Sequence, residues 1–461
     1  MTHKVYVVTD LGPGDGGKGG VVHAVATMQR AHTVIKRGGA QGSHGVRTSG
    51  GESFAFSQWG CGTLEGIPTH ISRQMVTSPE GLLNEAEALR CQCGIRDPFS
   101  LLSVDEGALI ATPYHGIASR LQELARGENP RGTVGTGVGQ AYRGLQDLPD
   151  LALYARDLSR ADLRDRLAAV REYMKLSLEP LNAHLFADGD NLLASQEIGR
   201  LYDDEFFEYV VKRFGEAASL ANIVSGDYLG DAILSQEGVA IVESSHGVLT
   251  DRLAGFSPHT SAIRTLPRFT EAMLAEAGFD SQIVNIGVTR AYAIRHGAGP
   301  MPTDDPSLAE HLLPGSSKDE NRYQGKVRVG PLDFVLLRYA IAASGGPSVF
   351  DGLAITWFDQ IKANGSWQTC NSYNGVDDQT YFTSKGELKV GAGDDHDQLL
   401  HQAALGRALQ RCEPNIALHE IDPSLSDDEL YARCAETIEG SLEVPVRMVS
   451  FGPTELDKLC R

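Results

Sequence analysis

Short apolar, β-branched runs recur along this chain, separated by longer stretches in which apolar and polar positions alternate with helical spacing. The runs at residues 5–9, 33–36, 239–242, 283–288 and 446–451 are too short for helices and rich in Val and Ile, so they read as buried strands. Residues 81–90, 116–126, 159–184, 219–234, 331–343 and 397–411 carry helix character. Strands alternating with helices predict an α/β fold built on a large, mostly parallel central sheet with helical subdomains. There is no internal repeat, low-complexity tract or Pro/Ser-rich linker, so 1–461 is expected to be one domain.

The first run, Val5-Tyr6-Val7-Val8-Thr9, is followed by Gly12-Pro13-Gly14-Asp15-Gly16-Gly17-Lys18-Gly19-Gly20 and then by apolar Val21-Val22-His23-Ala24-Val25-Ala26. Strand, glycine-rich turn and helix point backbone N–H groups and a helix N-terminus at a phosphate. Lys18 adds a point charge. The spacing fits the first seven positions of a P-loop, but Gly19 stands where a Ser or Thr would hold magnesium. Asp15 is an unexpected acid in such a turn, since it repels phosphate unless it binds a metal or a proton.

Composition narrows the function classes. With 41% hydrophobic residues and 51 glycines the chain is globular and rich in turns. A formal net charge of −19 argues against nucleic acid as a partner held by a general basic surface. Anionic ligands therefore need local basic or N–H-lined sites. Seven cysteines lie scattered, and Cys91-x-Cys93 has no partner pair, so reduced thiols are expected rather than a zinc site. No apolar run reaches membrane length and no signal peptide precedes Val5, so a soluble, cytoplasmic protein is expected.

Two segments in order, Gly14-Asp15-Gly16-Gly17-Lys18-Gly19-Gly20 and Gly38-Gly39-Ala40-Gln41-Gly42-Ser43-His44, resemble the adenylosuccinate synthetase family. That family has a Gly-Asp-Glu-Gly-Lys-Gly-Lys loop, then a Gly-Gly-x-Asn-Ala-Gly-His segment. The resemblance continues through Tyr114-His115-Gly116, where the histidine reads as a packed loop residue, and through the glycine-rich stretch 132–142. Further on come Val239–Thr250, His259-Thr260-Ser261, the Arg295–Thr303 run Arg-His-Gly-Ala-Gly-Pro-Met-Pro-Thr, Gly325–Asp333, Ala354–Asp359 and Ser450-Phe451-Gly452-Pro453.

The resemblance implies a ligase that consumes GTP and Mg2+. It implies that Asp15 is the general base toward a 6-oxopurine monophosphate, that His44 is the general acid, and that Lys18 and His246 assist. His246 stands where the family has a glutamine near the 6-oxygen. Asp15, Gly42 and Ser43 would hold the metal. Gly14, Gly16, Gly17, Gly19 and Gly42 would cradle the donor phosphates, and Asp359, Trp357, Ser450, Gly452 and Pro453 would take the guanine. Trp357 replaces a family lysine and is read as stacking on a base or as packing. Gln41, Thr133, Val134, Thr136, Thr260, Arg295 and Thr303 would bind the monophosphate and amino donor.

Lys326 and Arg328 are what remains of a more basic family loop for aspartate. A family arginine that crosses from the neighbouring subunit has no counterpart near Asp157. Residues 1–150 would then hold the nucleotide and catalytic loops, 151–235 a mainly helical subdomain, and 236–461 the substrate, amino-donor and guanine part. A homodimer in purine biosynthesis is the implied setting. The implied acceptor is IMP, GMP or dGMP, and three other readings stay open: the same phosphorylation and displacement on a different acceptor or amine, a silent nucleotide-binding protein, and an unrelated P-loop kinase.

Overall fold

The computed structural model describes residues 3–186, 189, 191–313 and 323–461. Its centre is an eleven-stranded sheet. We number the strands β1 (His3–Asp10), β2 (Thr33–Gly39), β3 (Thr69–Thr77), β4 (Leu102–Asp105), β5 (Leu109–Ile110), β6 (Asn222–Val224), β7 (Gly238–Gly247), β8 (Gln282–Arg290), β9 (Gly352–Thr356), β10 (Val446–Ser450) and β11 (Lys458–Cys460). Their order is β11-β10-β9-β8-β1-β7-β2-β3-β4-β6, with β5 beside β3. Every pairing is parallel except β10 with β11.

Continuous apolar runs belong in such a sheet because helices cover both faces. Val5, Val7 and Val8 of β1 are fully buried, as are Val34 and Ile35 of β2 and Ile241 and Val242 of β7. β1 lies between β7 and β8, so its carboxyl end opens at the middle of the sheet. There the register between β1 and β7 shifts between Val8 and Asp10, and the chain leaves the sheet as the glycine-rich turn. The ends of β2, β7, β8, β9 and β10 lie on the same edge, where parallel α/β sheets bind ligands.

The five expected strands are all present, each within three residues at the start and five at the end. Two expected helices are not continuous. The stretch 219–234 breaks into the end of helix Asp204–Leu220, strand β6 and a short π-helical segment Leu229–Leu234. Asn222-Ile223-Val224 pairs with Ser103-Val104-Asp105, so an edge pairing with a sequence-distant strand overrides local helix character. The stretch 159–184 holds helix Leu163–Leu178, then a tighter turn at Glu179–Leu181 containing Pro180, then helix Asn182–Leu185. His115 is not a loop residue: it sits in the first turn of helix Pro113–Leu124, where Thr112 and His115 cap each other.

Candidate active site

The glycine-rich turn wraps around a carboxylate of the protein itself. Asp10, the last residue of β1, is 1% exposed. It accepts hydrogen bonds from the Gly12 N–H at 2.8 Å, the Gly16 N–H at 2.7 Å and Lys18 Nζ at 2.9 Å. Lys18 also donates to the Gly14 carbonyl at 2.7 Å and is 2% exposed. The lysine expected to face a phosphate is therefore paired inside the turn, and two of the turn's N–H groups are spent on Asp10. Two glycines are required by neighbours: a Cβ on Gly16 would lie 2.7 Å from Asp10 Oδ2, and one on Gly19 would lie 2.5 Å from the Gly45 carbonyl. Asp15 remains on the outer side of the turn, with its carbonyl accepting from Arg290 Nε at 2.7 Å.

A second buried network lies beneath β2 and β7. Glu243 is fully buried and accepts from Lys36 Nζ at 2.7 Å, from His44 Nδ1 at 2.5 Å and from the Cys61 N–H at 2.8 Å. Burial alone would raise the Glu243 carboxyl, but Lys36 and the His44 bond hold it well below the usual carboxylate range. Burial, with the Lys36 charge beside it, brings His44 down to about 4. A neutral His44 that donates from Nδ1 to Glu243 presents an unprotonated Nε2. His44, Cys61 and Glu243 form the one cluster of metal-ligand type among the described residues. Lys36 already neutralises that cluster, and a set containing a thiol and an imidazole does not suit magnesium.

Between the turn and the 131–139 segment lies a cavity of about 150 Å3. Asp15, Gln41 and His246 form one wall. Gly132–Val134, Thr136–Gly139, Arg126, Arg131, Arg143, Thr260 and Arg295 form the other. His246 sits at φ 66, the left-handed region that side chains rarely adopt. Its Nε2 lies 2.5 Å from Gln41 Nε2, and Gln41 Oε1 is buried without a partner. Burial, then the positive charge of Lys18, lowers His246 to about 4, so it enters the cavity neutral.

The other expected residues divide. Val134 and Thr136 line the cavity, and Thr133 Oγ1 accepts from the Gly135 N–H at 3.2 Å. The Thr260 carbonyl accepts from Arg131 at 3.1 Å. Arg295 is buried and donates to the Ala298 and His259 carbonyls at 2.8 and 3.3 Å. Burial, then the charge of Arg328, lowers its guanidinium to about 9. Thr303 is 2% exposed with an unpartnered Oγ1 and does not line this cavity. Gly42 and Ser43 occupy the turn after β2, Ser43 exposed. Lys326 is exposed. Arg328 is engaged on three sides, donating to the Gly297 carbonyl at 2.9 Å and the Gly299 carbonyl at 2.7 Å and pairing with Asp304 at 3.2 Å.

At the carboxyl ends of β9 and β10 a second group assembles. Trp357 caps the short helix Phe358–Asn364 at φ 61 and is 36% exposed. The Arg290 guanidinium lies 4.4 Å from its ring centroid. Arg290 thus ties this end of the sheet to the carbonyl of Asp15. Asp359 follows in the helix and accepts from Gln360 at 2.7 Å. The Ser450 hydroxyl and Lys458 Nζ both donate to the Gly452 carbonyl, at 2.8 and 2.7 Å, with Pro453 next in the chain. Burial brings the Lys458 ammonium down to about 8 against the pull of Asp457 and Asp359. Asp10, Lys36, Glu243, Arg290, Arg131, Arg143 and Lys458 are the polar residues here to which sequence reading gave no role. Asp10 ends an apolar strand and by itself reads as the start of a loop; Lys458 meets a carbonyl six residues away, and the others depend on pairing with residues far along the chain.

The profile of the adenylosuccinate synthetase family matches residues 7–458. The chain is 27% identical to the adenylosuccinate synthetase of Myxococcus xanthus, over 95% of this chain and 94% of the relative. It is 27% identical to that of Halobacterium salinarum, over 97% of each. Among solved structures it superposes on a fully ligated adenylosuccinate synthetase from Plasmodium falciparum with a TM-score of 0.75, at 16% identity and 99% coverage of both chains. It also superposes on the cyanophage S-2L succinoaminodeoxyadenylate synthetase, bound to dGMP and dATP, with a TM-score of 0.54, at 16% identity, covering 100% of this chain and 96% of that one. At that identity the structural likeness speaks for the fold.

Proposed function

We propose that this chain, which belongs to the adenylosuccinate synthetase family and so to the ligases that form a carbon–nitrogen bond, activates the 6-oxygen of a purine nucleoside monophosphate for displacement by L-aspartate. The observation that carries this reading is the cavity itself, where a carboxylate and a neutral imidazole face a glycine- and arginine-lined wall. A 6-oxo group leaves poorly. The ring must lose its N1 proton, the oxygen must take a phosphoryl group, and the amine must then expel phosphate from C6.

Asp15 suits the first step, because its carbonyl is fixed by Arg290 and the residue lines the cavity. The role we assign to His246, whose Nε2 meets Gln41 and which lines the cavity, is to stabilise the charge that grows on the 6-oxygen. His44 is neutral at rest and gains a proton when an anionic phosphoryl group arrives beside it, with Glu243 holding the imidazolium. GTP is the proposed phosphoryl donor, its guanine read by Asp359 and covered by Trp357, Ser450, Gly452 and Pro453.

Magnesium keeps several waters and takes one or two carboxylates together with substrate phosphates. The Asp15 carboxylate, with Gly42 and Ser43 in the next turn, is an all-oxygen set that fits it. When bound, the ion would neutralise phosphate charge. A cytoplasmic homodimer is the proposed state; among the described residues no helix is long and apolar enough to cross a membrane.

The test is phosphate release with IMP, GMP or dGMP, with and without aspartate, using GTP or ATP. Aspartate-stimulated release with at least one of the three monophosphates is expected. Absence of release with all of them would refute the reading.

A further inference from the structure

Arg131 and Arg143 both line the cavity that Asp15 lines. Arg131 precedes the glycine-rich loop and donates to the Thr260 carbonyl at 3.1 Å, while its own carbonyl lies 3.2 Å from His259 Nδ1. Both ends of the residue are thus fixed. Arg143, on helix Val138–Asp147, is exposed at the cavity and donates to Gln122 Oε1 at 3.1 Å. Among the described residues neither arginine forms an ion pair with a carboxylate. The one acid at this wall, Glu123, is already spent on Arg126 at 3.0 Å and on the Gly132 N–H at 2.7 Å.

Burial, then the charges of Arg126 and Arg143, lowers the Arg131 guanidinium from its ordinary value. In a chain of net charge −19 such a cluster is not a by-product of overall composition. The helix that carries Arg143 also begins here, at Gly137 with φ 90 and with no side chain capping its first N–H groups. A part-buried and an exposed guanidinium without a carboxylate partner among the described residues, an uncapped helix start and the Thr133 and Thr136 hydroxyls around one cavity describe a site for a dianionic phosphate.

We propose that Arg131 and Arg143 grip the 5′-phosphate of the acceptor nucleotide from within the same chain, so that the acceptor site is complete in one subunit. The inference rests on the function proposed above and names the residues that read its phosphate. Losing one charge-assisted hydrogen bond to a phosphate costs on the order of 10–100-fold in affinity.

Calorimetric titration of the full chain with IMP and inosine, or GMP and guanosine, tests it without turnover. Wild type should prefer the monophosphate. Arg131→Gln and Arg143→Gln should each weaken monophosphate binding by about 10–100-fold, leaving nucleoside and GTP binding unchanged, and Arg131→Lys should recover part of the loss. Variants that bind the monophosphate as wild type does would overturn the inference alone. A wild type indifferent to the phosphate would overturn the underlying function as well.

Co-expression of Arg131→Gln with Asp15→Asn under separate tags tests the same-chain arrangement. If Arg131 serves its own site, every site in the mixed assembly carries a defect and no activity returns. Recovery in the mixed species would show that the arginine crosses between subunits and would overturn the proposal.

Discussion

The two walls of the cavity treat charge in opposite ways. On the Asp15 side two buried carboxylates hold buried cations. Asp10 holds Lys18, and Glu243 holds Lys36 and His44, all within side chains at most 6% exposed. On the 131–143 side the guanidiniums of Arg131 and Arg143 have backbone or amide partners and no carboxylate among the described residues. The difference separates two jobs. Under the proposed function, internally neutralised charges would set the shape and protonation of the groups assigned to catalysis, whereas the arginines without a carboxylate partner would take the ligand. Changes on the first wall should therefore reach kcat and stability, and changes on the second should reach binding.

The largest effects belong to the first wall. Asp15→Asn and His44→Asn should each lower turnover roughly 10²–10⁴-fold while the fold survives, the usual scale for a general base or acid. Steady-state rates with circular dichroism as a control check this. Near wild-type turnover in both would break the assignment. Asp10→Ala leaves the Lys18 ammonium buried without its partner, and removing one side of a buried pair costs about 3–5 kcal/mol. Denaturant unfolding should show that loss. The double change Asp10→Ala with Lys18→Met should recover most of it, since no charge is then stranded.

Acid should act mainly through four buried histidines. His44, His70, His115 and His246 are each lowered to about 4, all chiefly by burial. The unfolded chain takes up those protons near 6.5 and the folded chain does not. The stabilisation is therefore fully present above pH 6.5 and drains away as pH falls toward 4. A gap of about 2.5 units is worth at most about 3 kcal/mol per histidine. Thermal unfolding between pH 7 and 4 should show a steep fall in Tm. His70→Asn, which lies outside the candidate site, should flatten part of it.

What could be read in the sequence follows the same division. The strand–turn–helix of residues 5–26 is a local pattern and forms as expected, and His44 follows β2. Asp10 is equally local, but an acid at the end of an apolar run reads as the start of a loop until its three donors are seen. Lys36 and Glu243 are 207 residues apart and meet only because β2 and β7 pair. Arg131 precedes the glycine-rich stretch and belongs to no motif, and its lack of a carboxylate partner among the described residues is a property of the folded surroundings. The false helix at 219–234 has the same origin, since β6 exists only because β4 offers it an edge.

A smaller effect is expected at the donor end. Asp359→Asn should raise the GTP KM at least tenfold and narrow the preference over ATP, because an amide cannot accept two hydrogen bonds in the way a carboxylate does. Equal use of GTP and ATP by the unaltered protein would remove Asp359 from that role.

The smallest effect tests the division at its weakest point, Arg328. It belongs to neither wall cleanly. Its fork holds the Gly297 and Gly299 carbonyls and pairs with Asp304, so in this structure it shapes the glycine-rich run that follows Arg295. The resemblance gave it the carboxylate of the amino donor. A lysine keeps the charge but supplies a point donor in place of a fork, so it can hold one of those carbonyls and not both. Arg328→Lys should then raise the aspartate KM several-fold and the monophosphate KM by less than about twofold, with kcat little changed. Equal rises in both KM values would mean that the residue supports the whole segment and that the carboxylate binds elsewhere. A rise in aspartate KM alone would mean that the fork turns from the carbonyls to the incoming carboxylate, which makes this loop the part of the site that rearranges when the amino donor binds.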